Sequence, residues 1–471
     1  MEKLRNKTLK LKSKKSTNFL RPIVQPILET TLTSSNIGIL YCLIDSFFCV
    51  RFQVTTRSLS RYSKHSLSTL FRFLSCEIDW LSIRILLFMR WNFKSQRTYI
   101  FATDETVEKK SGKCSYGLSK FYSSSIEKPI AGICFSALSL IDVESTTSFM
   151  IHTIQVVHSQ ADKLRIAKEK AKRKAAKKRL QDGGKPLQRG RKKGGKNKVK
   201  ESPSADNASL RAFKDVFTSA VVALSSLLPT LKVKHIVGDT AYGNENYLSI
   251  ISGQGLFLIS KLYRNAALFE VRAEPKVRKA GRPALYGKQF DLSDLDRKHL
   301  KSSQKDDKGT RLEIYQIEAR SKAMKGRKLN VVVQKAIRKD GKVAIQLFFS
   351  SDLELDCQTL IKYYRLRFQI EFDFRDAKQH FGLSDFKNYK EKNLTNFVNL
   401  SLTMTLISKS MLEKFREKYQ NPKLSILDLK VYCNHKFHAK SIINWFVNNP
   451  KINFNSINEE QFLPHDLINP A

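Results

Sequence analysis

Residues 356–383, DCQTLIKYYRLRFQIEFDFRDAKQHFGL, decide how the rest of the chain is read. The stretch contains no proline, and its first glycine is Gly382. Asp356 is placed to cap a helix and Gly382 to stop it, so the spacing predicts one helix between them. Within it Tyr364, Arg367, Glu371 and Lys378 follow at offsets of three, four and seven. At roughly 100° per residue, all four fall within an arc of about 60°. One face thus carries a carboxylate, two cations and a phenol. A carboxylate suits a hard metal ion, and Arg and Lys suit phosphate oxygens. The combination fits nucleic-acid chemistry better than it fits a core.

Composition agrees. The chain has 84 Lys+Arg against 43 Asp+Glu, a net charge of +41 over 471 residues. That excess favours a polyanion, of which nucleic acid is the commonest. The codon bias of an AT-rich genome would raise Lys, Asn and Ile, but leaves the shortage of acids unexplained. Hydrophobic content of 41% is ordinary for a globular chain with a sizeable core. The apolar run 36–50 is short and contains Asp45, and 81–90 is interrupted by Arg84. Neither reads as a membrane span. The opening Met1-Glu-Lys-Leu-Arg has no signal-peptide core, so a cytoplasmic, nucleoid-associated protein is expected. Seven scattered cysteines without a CxxC suggest a reducing compartment. Cys433, His435 and His438 cluster, but lack an evident fourth zinc ligand.

Outward from the helix, the chain divides by pattern. Residues 1–95 read as helical. Within them VTTRSLSRYSKHSLSTLFRFLS (54–75) has the shape of a helix-turn-helix, and equally of a plain helical hairpin. Ser66 would cap its second helix, Leu67, Leu70, Phe71 and Leu74 would face inward, and Lys64, His65, Thr69 and Arg72 would face DNA. Residues 96–261 read as alternating strands and helices, interrupted by a basic insertion at 163–205. Between 163 and 200 that insertion holds 18 Lys/Arg and two acids. Its Ala/Lys-rich first half is able to coil on a polyanion, while its like charges oppose helix in isolation. Residues 262–350 read as a β-rich insertion, with strands at 311–319, 329–337 and 343–350. It includes Gly281-Arg282-Pro283, which is either a turn or a short minor-groove hook. Residues 351–415 carry the Glu371 helix, and 416–471 read as a helical C-terminal region.

Two further acids stand out. TYIFAT (98–103) leads into Asp104, and KVKHIVG (232–238) leads into Asp239. Each is expected at the C-terminal end of an apolar strand, where functional groups gather in mixed sheets. Glu105 makes the first position ambiguous. Cleaving a phosphodiester with two divalent ions requires several carboxylates from distant segments to meet. Asp104, Asp239 and Glu371 answer that need, whereas Asp373 and Asp376 point off the cationic face.

The pattern Tyr364-x2-Arg367-x3-Glu371-x6-Lys378 resembles the Tyr-Arg-Glu-Lys signature of bacterial insertion-sequence transposases of the Asp-Asp-Glu type. IFATDETVEKKSGKCSYGLSKFYSS and HIVGDTAYGNENY resemble the regions around that family's first and second acids, and the likeness spans roughly 95–415. The resemblance implies an α/β fold: a ribonuclease-H-like mixed-sheet catalytic core with a β-rich insertion. An α-helical N-terminal DNA-binding region and a helical C-terminus would flank it. It implies that Asp104, Asp239 and Glu371 coordinate two Mg²⁺ or Mn²⁺ ions. Tyr364 and Arg367 would contact phosphates near the transposon end, and Lys378 a terminal phosphate. The implied reaction is hydrolysis at the element's end, freeing a 3′-hydroxyl that attacks target DNA. The implied assembly is a homodimer pairing two ends of double-stranded DNA. Relatives often stack a flipped base on a Trp of the insertion. Here Trp80, Trp91 and Trp445 all lie outside it, which leaves Tyr286 or Phe290 as substitutes. The alternatives are a metal-dependent nuclease without strand transfer, an inactive DNA-binding protein of the same fold, and a basic RNA-associated protein.

Overall fold

The described residues open on the helices α1 (Ser34–Cys49), α2 (Thr56–Arg61), α3 (Leu67–Phe73) and α4 (Trp80–Trp91). Their starts follow capping chemistry. Thr33, Thr55, Ser66 and Asp79 each accept a backbone N–H of the first turn. Strands β1 (Tyr99–Lys109), β2 (Ser119–Ser123), β3 (Lys128–Asp142) and β4 (Thr147–Val156) follow. Then come α5 (Gln160–Gln181), α6 (Ala208–Leu227), β5 (Val233–Val237), α7 (Glu245–Gly253) and β6 (Phe257–Leu262). The next strands are β7 (Leu268–Val271), β8 (Tyr286–Gln289), β9 (Leu300–Lys305), β10 (Arg311–Ser321), β11 (Lys328–Ile337) and β12 (Val343–Ser350). Helices α8 (Cys357–Leu366), α9 (Gln369–His380), α10 (Glu391–Tyr419) and α11 (Ile426–Asn448) follow as the last described elements. This computed structural model describes residues 29, 33–123, 126–183, 207–272, 285–306 and 309–448. The Gly-Arg-Pro segment and the second half of the basic insertion lie outside them.

The strands form one mixed sheet, ordered β2-β3-β1-β5-β6-β12-β11-β10-β7-β8, with β4 also on β3 and β9 also on β10. β1 runs antiparallel to β3 from Tyr99↔Asp142 to Lys109↔Gly132. It runs parallel to β5 only as far as Ala102↔Val237, and β5 runs parallel to β6. This mixed sheet with its flanking helices is the α/β, ribonuclease-H-like core expected. The strands of 262–350 join the core directly, because β12 pairs antiparallel with β6 from Leu347↔Leu262 to Ser350↔Ile259.

Side chains alternate along β1, and the two sheet faces receive different helices. On one face Phe101 meets Phe217 of α6 at 6.3 Å between ring centroids, and Ser209 of α6 donates to Glu105. On the other, Asp104 meets Arg367, and Ser139 of β3 donates to Asp373 of α9. Asp373 is fully buried and is also bonded by Ser148 and by Lys409 of α10. α9 is thereby tied to the sheet through the side opposite its cationic face.

The N-terminal helices are fastened to α10 by polar groups recurring along it. Asn396 accepts from Trp80 Nε1 at 2.8 Å and donates to the carbonyls of Leu74 and Cys76. Arg84, fully buried, donates to Asn399 and Thr403. In the expected helix pair, Ser66 caps α3, and Leu70 and Leu74 are buried. Phe71, however, is 40% exposed, and Phe73 takes the inward place. α3 is only seven residues long and packs against α1 as well as α2, so its inner side is turned from the one on which Phe71 was expected.

Three expectations are corrected in detail. Residues 356–382 form two helices, because i→i+3 bonds tighten the chain at Arg367–Phe368, from Arg367 N to Tyr364 O and from Phe368 N to Arg365 O. Asp104 lies within β1 and not at its end, because β3 keeps pairing through Lys109. Asp104 still projects beyond the last residue of its parallel neighbour β5. The first half of the basic insertion is the ordered 22-residue α5, started by a capping box between Ser159 and Asp162.

Candidate active site

Asp104 sits where β1 outruns β5, and Asp239 stands two residues past the end of β5. The Asp239 carboxylate accepts the Ala241 N–H at 2.9 Å and so caps the short turn Thr240–Tyr242. Its carbonyl accepts the Ser260 hydroxyl at 2.6 Å, tying that turn to β6. Gly243 follows because a Cβ there would lie 2.5 Å from the Lys261 carbonyl oxygen.

Arg367 joins strand to helix. Its Nη1 lies 3.0 Å from Asp104 Oδ2, and its Nη2 lies 2.8 Å from Glu371 Oε1. Tyr364 hydrogen-bonds Arg367 and packs its ring on Phe348, with centroids 5.0 Å apart. Burial pushes the Asp104 carboxyl up to about 7, against the Arg367 charge and the Glu105 N–H, with the Asp239 and Glu371 charges adding to the rise. Glu105 is resolved by strand parity. It faces α6, accepts from Ser209 at 3.2 Å and from Cys134 Sγ at 3.5 Å, and is raised chiefly by burial.

Lys378 lies further along the same side of α9. Its ammonium is 2.9 Å from Glu108 Oε1, and the Ser384 hydroxyl donates to Glu108 Oε2 at 2.8 Å. Sequence reading missed Glu108. Its signal is parity, since it stands four residues after Asp104 on the same strand face. Lys261 was missed as well. It is cross-strand from Phe348, with its ammonium 5.0 Å and 5.1 Å from the Phe348 and Tyr364 ring centroids. These residues, with Arg367 and the cross-strand amides Gln334 and Gln346, line a cavity of about 390 Å³ beside the acids. Tyr286 and Phe290, the suggested substitutes for the stacking Trp, are engaged elsewhere. Tyr286 packs on Phe269 and Phe290 lies near His299. Lys64 is exposed in the turn between α2 and α3, and Arg72 is exposed on α3, where it bonds Thr69.

Asp104 and Glu371 direct oxygens at one cationic point, where the Arg367 guanidinium stands in for a positive charge. Asp239 is near enough for its charge to raise Asp104. Among the described residues, no three His, Cys, Asp or Glu side chains are gathered closely enough to hold an ion as they stand, the Cys433–His435–His438 cluster included. The oxygen donors therefore fit a hard cation chemically, with Asp104 and Glu371 converged and Asp239 turned toward its own cap.

A mixed ribonuclease-H-like sheet with acids at this edge defines a class of nucleic-acid-processing folds. Residues 43–323 match the family model described as DDE superfamily endonuclease, which spans more than half the chain. The chain belongs to that family. The matched segment includes Asp104 and Asp239 and ends before α8 and α9. Comparison with curated proteins finds no match. Membership implies a nuclease-type enzyme acting on DNA, in a family that generally uses divalent metals. No helix among the described residues is long and apolar enough to cross a membrane.

Proposed function

We propose that this protein is a DNA transposase that cuts at the ends of an insertion sequence and joins the freed 3′-hydroxyl to target DNA. The observation that carries the reading is Arg367 bonded at once to Asp104 on β1 and Glu371 on α9, which unites acids 267 residues apart in the chain. In this reading Asp104, Asp239 and Glu371 hold two Mg²⁺ or Mn²⁺ ions. When bound, the ions supply Lewis acidity to the scissile phosphate and neutralise the charge of its displacement. Arg367 exchanges its carboxylates for a phosphate oxygen. Tyr364 orients that guanidinium, and Lys378 donates to a neighbouring phosphate. The Phe348–Tyr364 wall and the Lys261 ammonium receive the nucleotide beside the cut. Lys64 and Arg72 touch DNA from the N-terminal region, and two copies of the chain pair two DNA ends. A nucleoid location in a bacterial cytoplasm follows from that substrate. A nuclease that cuts without joining is the second reading, which the family description favours on its face.

The test is incubation with Mg²⁺ and a plasmid carrying the DNA that flanks its own gene, followed by mapping of cut ends. Pre-cut ends and a separate target plasmid then probe joining. Defined ends plus joined product are expected. Defined cutting without joining would support the nuclease, and no cutting under any divalent ion would overturn both readings. Glu371→Gln should reduce cutting by more than about 100-fold, the loss that even an outer partner of a metal ligand can produce. End binding should persist in that variant.

A further inference from the structure

Glu108 is not one of the acids the sequence singles out, yet it is among the most buried carboxylates in the described residues, at 4% exposure. Its neighbours on the sheet edge are cations and hydroxyls. Lys378 reaches Oε1 and Ser384 reaches Oε2, while Lys110, just past the end of β1, turns to Phe386 with its ammonium 3.3 Å from the ring centroid. Asp104 and Glu108 are on one face of β1, about 13 Å apart along the strand. Arg367 closes α8, and Lys378 follows it within α9. The acid pair of β1 meets these two cations in order, Asp104 with Arg367 and Glu108 with Lys378.

We infer that Glu108 is a positioning residue, which holds the Lys378 ammonium at a fixed place in the DNA groove and offsets its charge until a phosphate shares it. The inference rests on the phosphate role of Lys378 in the proposed function. An ammonium has three donors, so Lys378 can keep Glu108 while donating to a phosphate oxygen. The carboxylate cannot be meant for the ion site of Asp104, because four strand residues separate them. An unpaired carboxylate this deeply buried would be costly, which keeps the ammonium in place. The consequence is that Lys378 contributes less than a full charge to DNA binding.

The experiment compares wild type, Glu108→Gln, Lys378→Ala and the double variant in titrations of a labelled duplex of arbitrary sequence at several KCl concentrations. Gln keeps an acceptor for Ser384 and frees Lys378. Glu108→Gln should bind severalfold tighter, with a salt slope steeper by up to about one unit. Lys378→Ala should flatten the slope, and Glu108→Gln should add nothing in that background. Glu108→Asp should restore the wild-type slope, which rules out a general packing effect. A flattened Lys378→Ala slope with an unchanged Glu108→Gln slope would overturn the inference alone. A Lys378→Ala slope equal to wild type would remove Lys378 from the phosphates, and the inference with it.

Discussion

Arg367 and Asp104 form a 3.0 Å ion pair across 263 residues of chain, at 16% and 19% side-chain exposure. The guanidinium opposes a burial that would otherwise raise the Asp104 carboxyl still further.

That placement makes stability depend on pH with a definite sign. The Asp104 carboxyl is raised from 3.8 to about 7 in the folded chain. Between those limits the folded state holds a proton that the unfolded state has released. Stability is therefore lost as pH rises through this window, by roughly 1.4 kcal/mol per unit crossed at most. Urea unfolding in EDTA at pH 5 and pH 8 should show wild type losing more stability than Asp104→Asn over that interval. Parallel losses would remove Asp104 from the account.

The basic helix α5 makes a second prediction. Lys170/Lys174 and Arg173/Lys177 are like-charged pairs at i,i+4, which weaken an isolated helix. Its start is nonetheless fixed, because Asp162 is buried and bonded by Arg165 and by Arg211 of α6. A polyanion along the exposed remainder would relieve the repulsion. Changing Lys170, Arg173, Lys174 and Lys177 to Gln should flatten the salt dependence of duplex binding by up to about three units. A slope within error of wild type would make α5 a solvated linker.

The third concerns the far side of α9. Asp373 has no solvent exposure, and Lys409 is its one cationic partner among the ion pairs described. Lys409→Met would leave a buried carboxylate with the Ser139 and Ser148 hydroxyls and the unbonded charge of Arg84. The expected cost is about 3–5 kcal/mol, read as a lower urea midpoint. Because α9 carries Glu371, cutting should fall in the same variant at temperatures where it remains folded. An unchanged midpoint would show that the pair adds nothing to the fold.

The sequence alone determined which segments would form the strands and helices that bear the candidate acids. Apolar runs before Asp104 and Asp239 predicted strands, and β1 and β5 are there. Asp356 and Gly382 marked the bounds of the helical stretch, and Gly382 does close it with a φ of +74°. These are local effects, written in capping residues and side-chain period. Tertiary structure decided the rest. Whether Asp104 or Glu105 faces α9 depends on which sheet face that helix covers. The break at Arg367–Phe368 leaves no mark in propensity, since neither residue is a helix breaker. The partnership of Lys378 with Glu108 needs β1 and α9 to run side by side, and α9 is held to the sheet by the Ser139 and Ser148 hydroxyls on Asp373, on the helix's other side. Periodicity records which way a side chain points from its own element; only packing across the sheet determines what it meets.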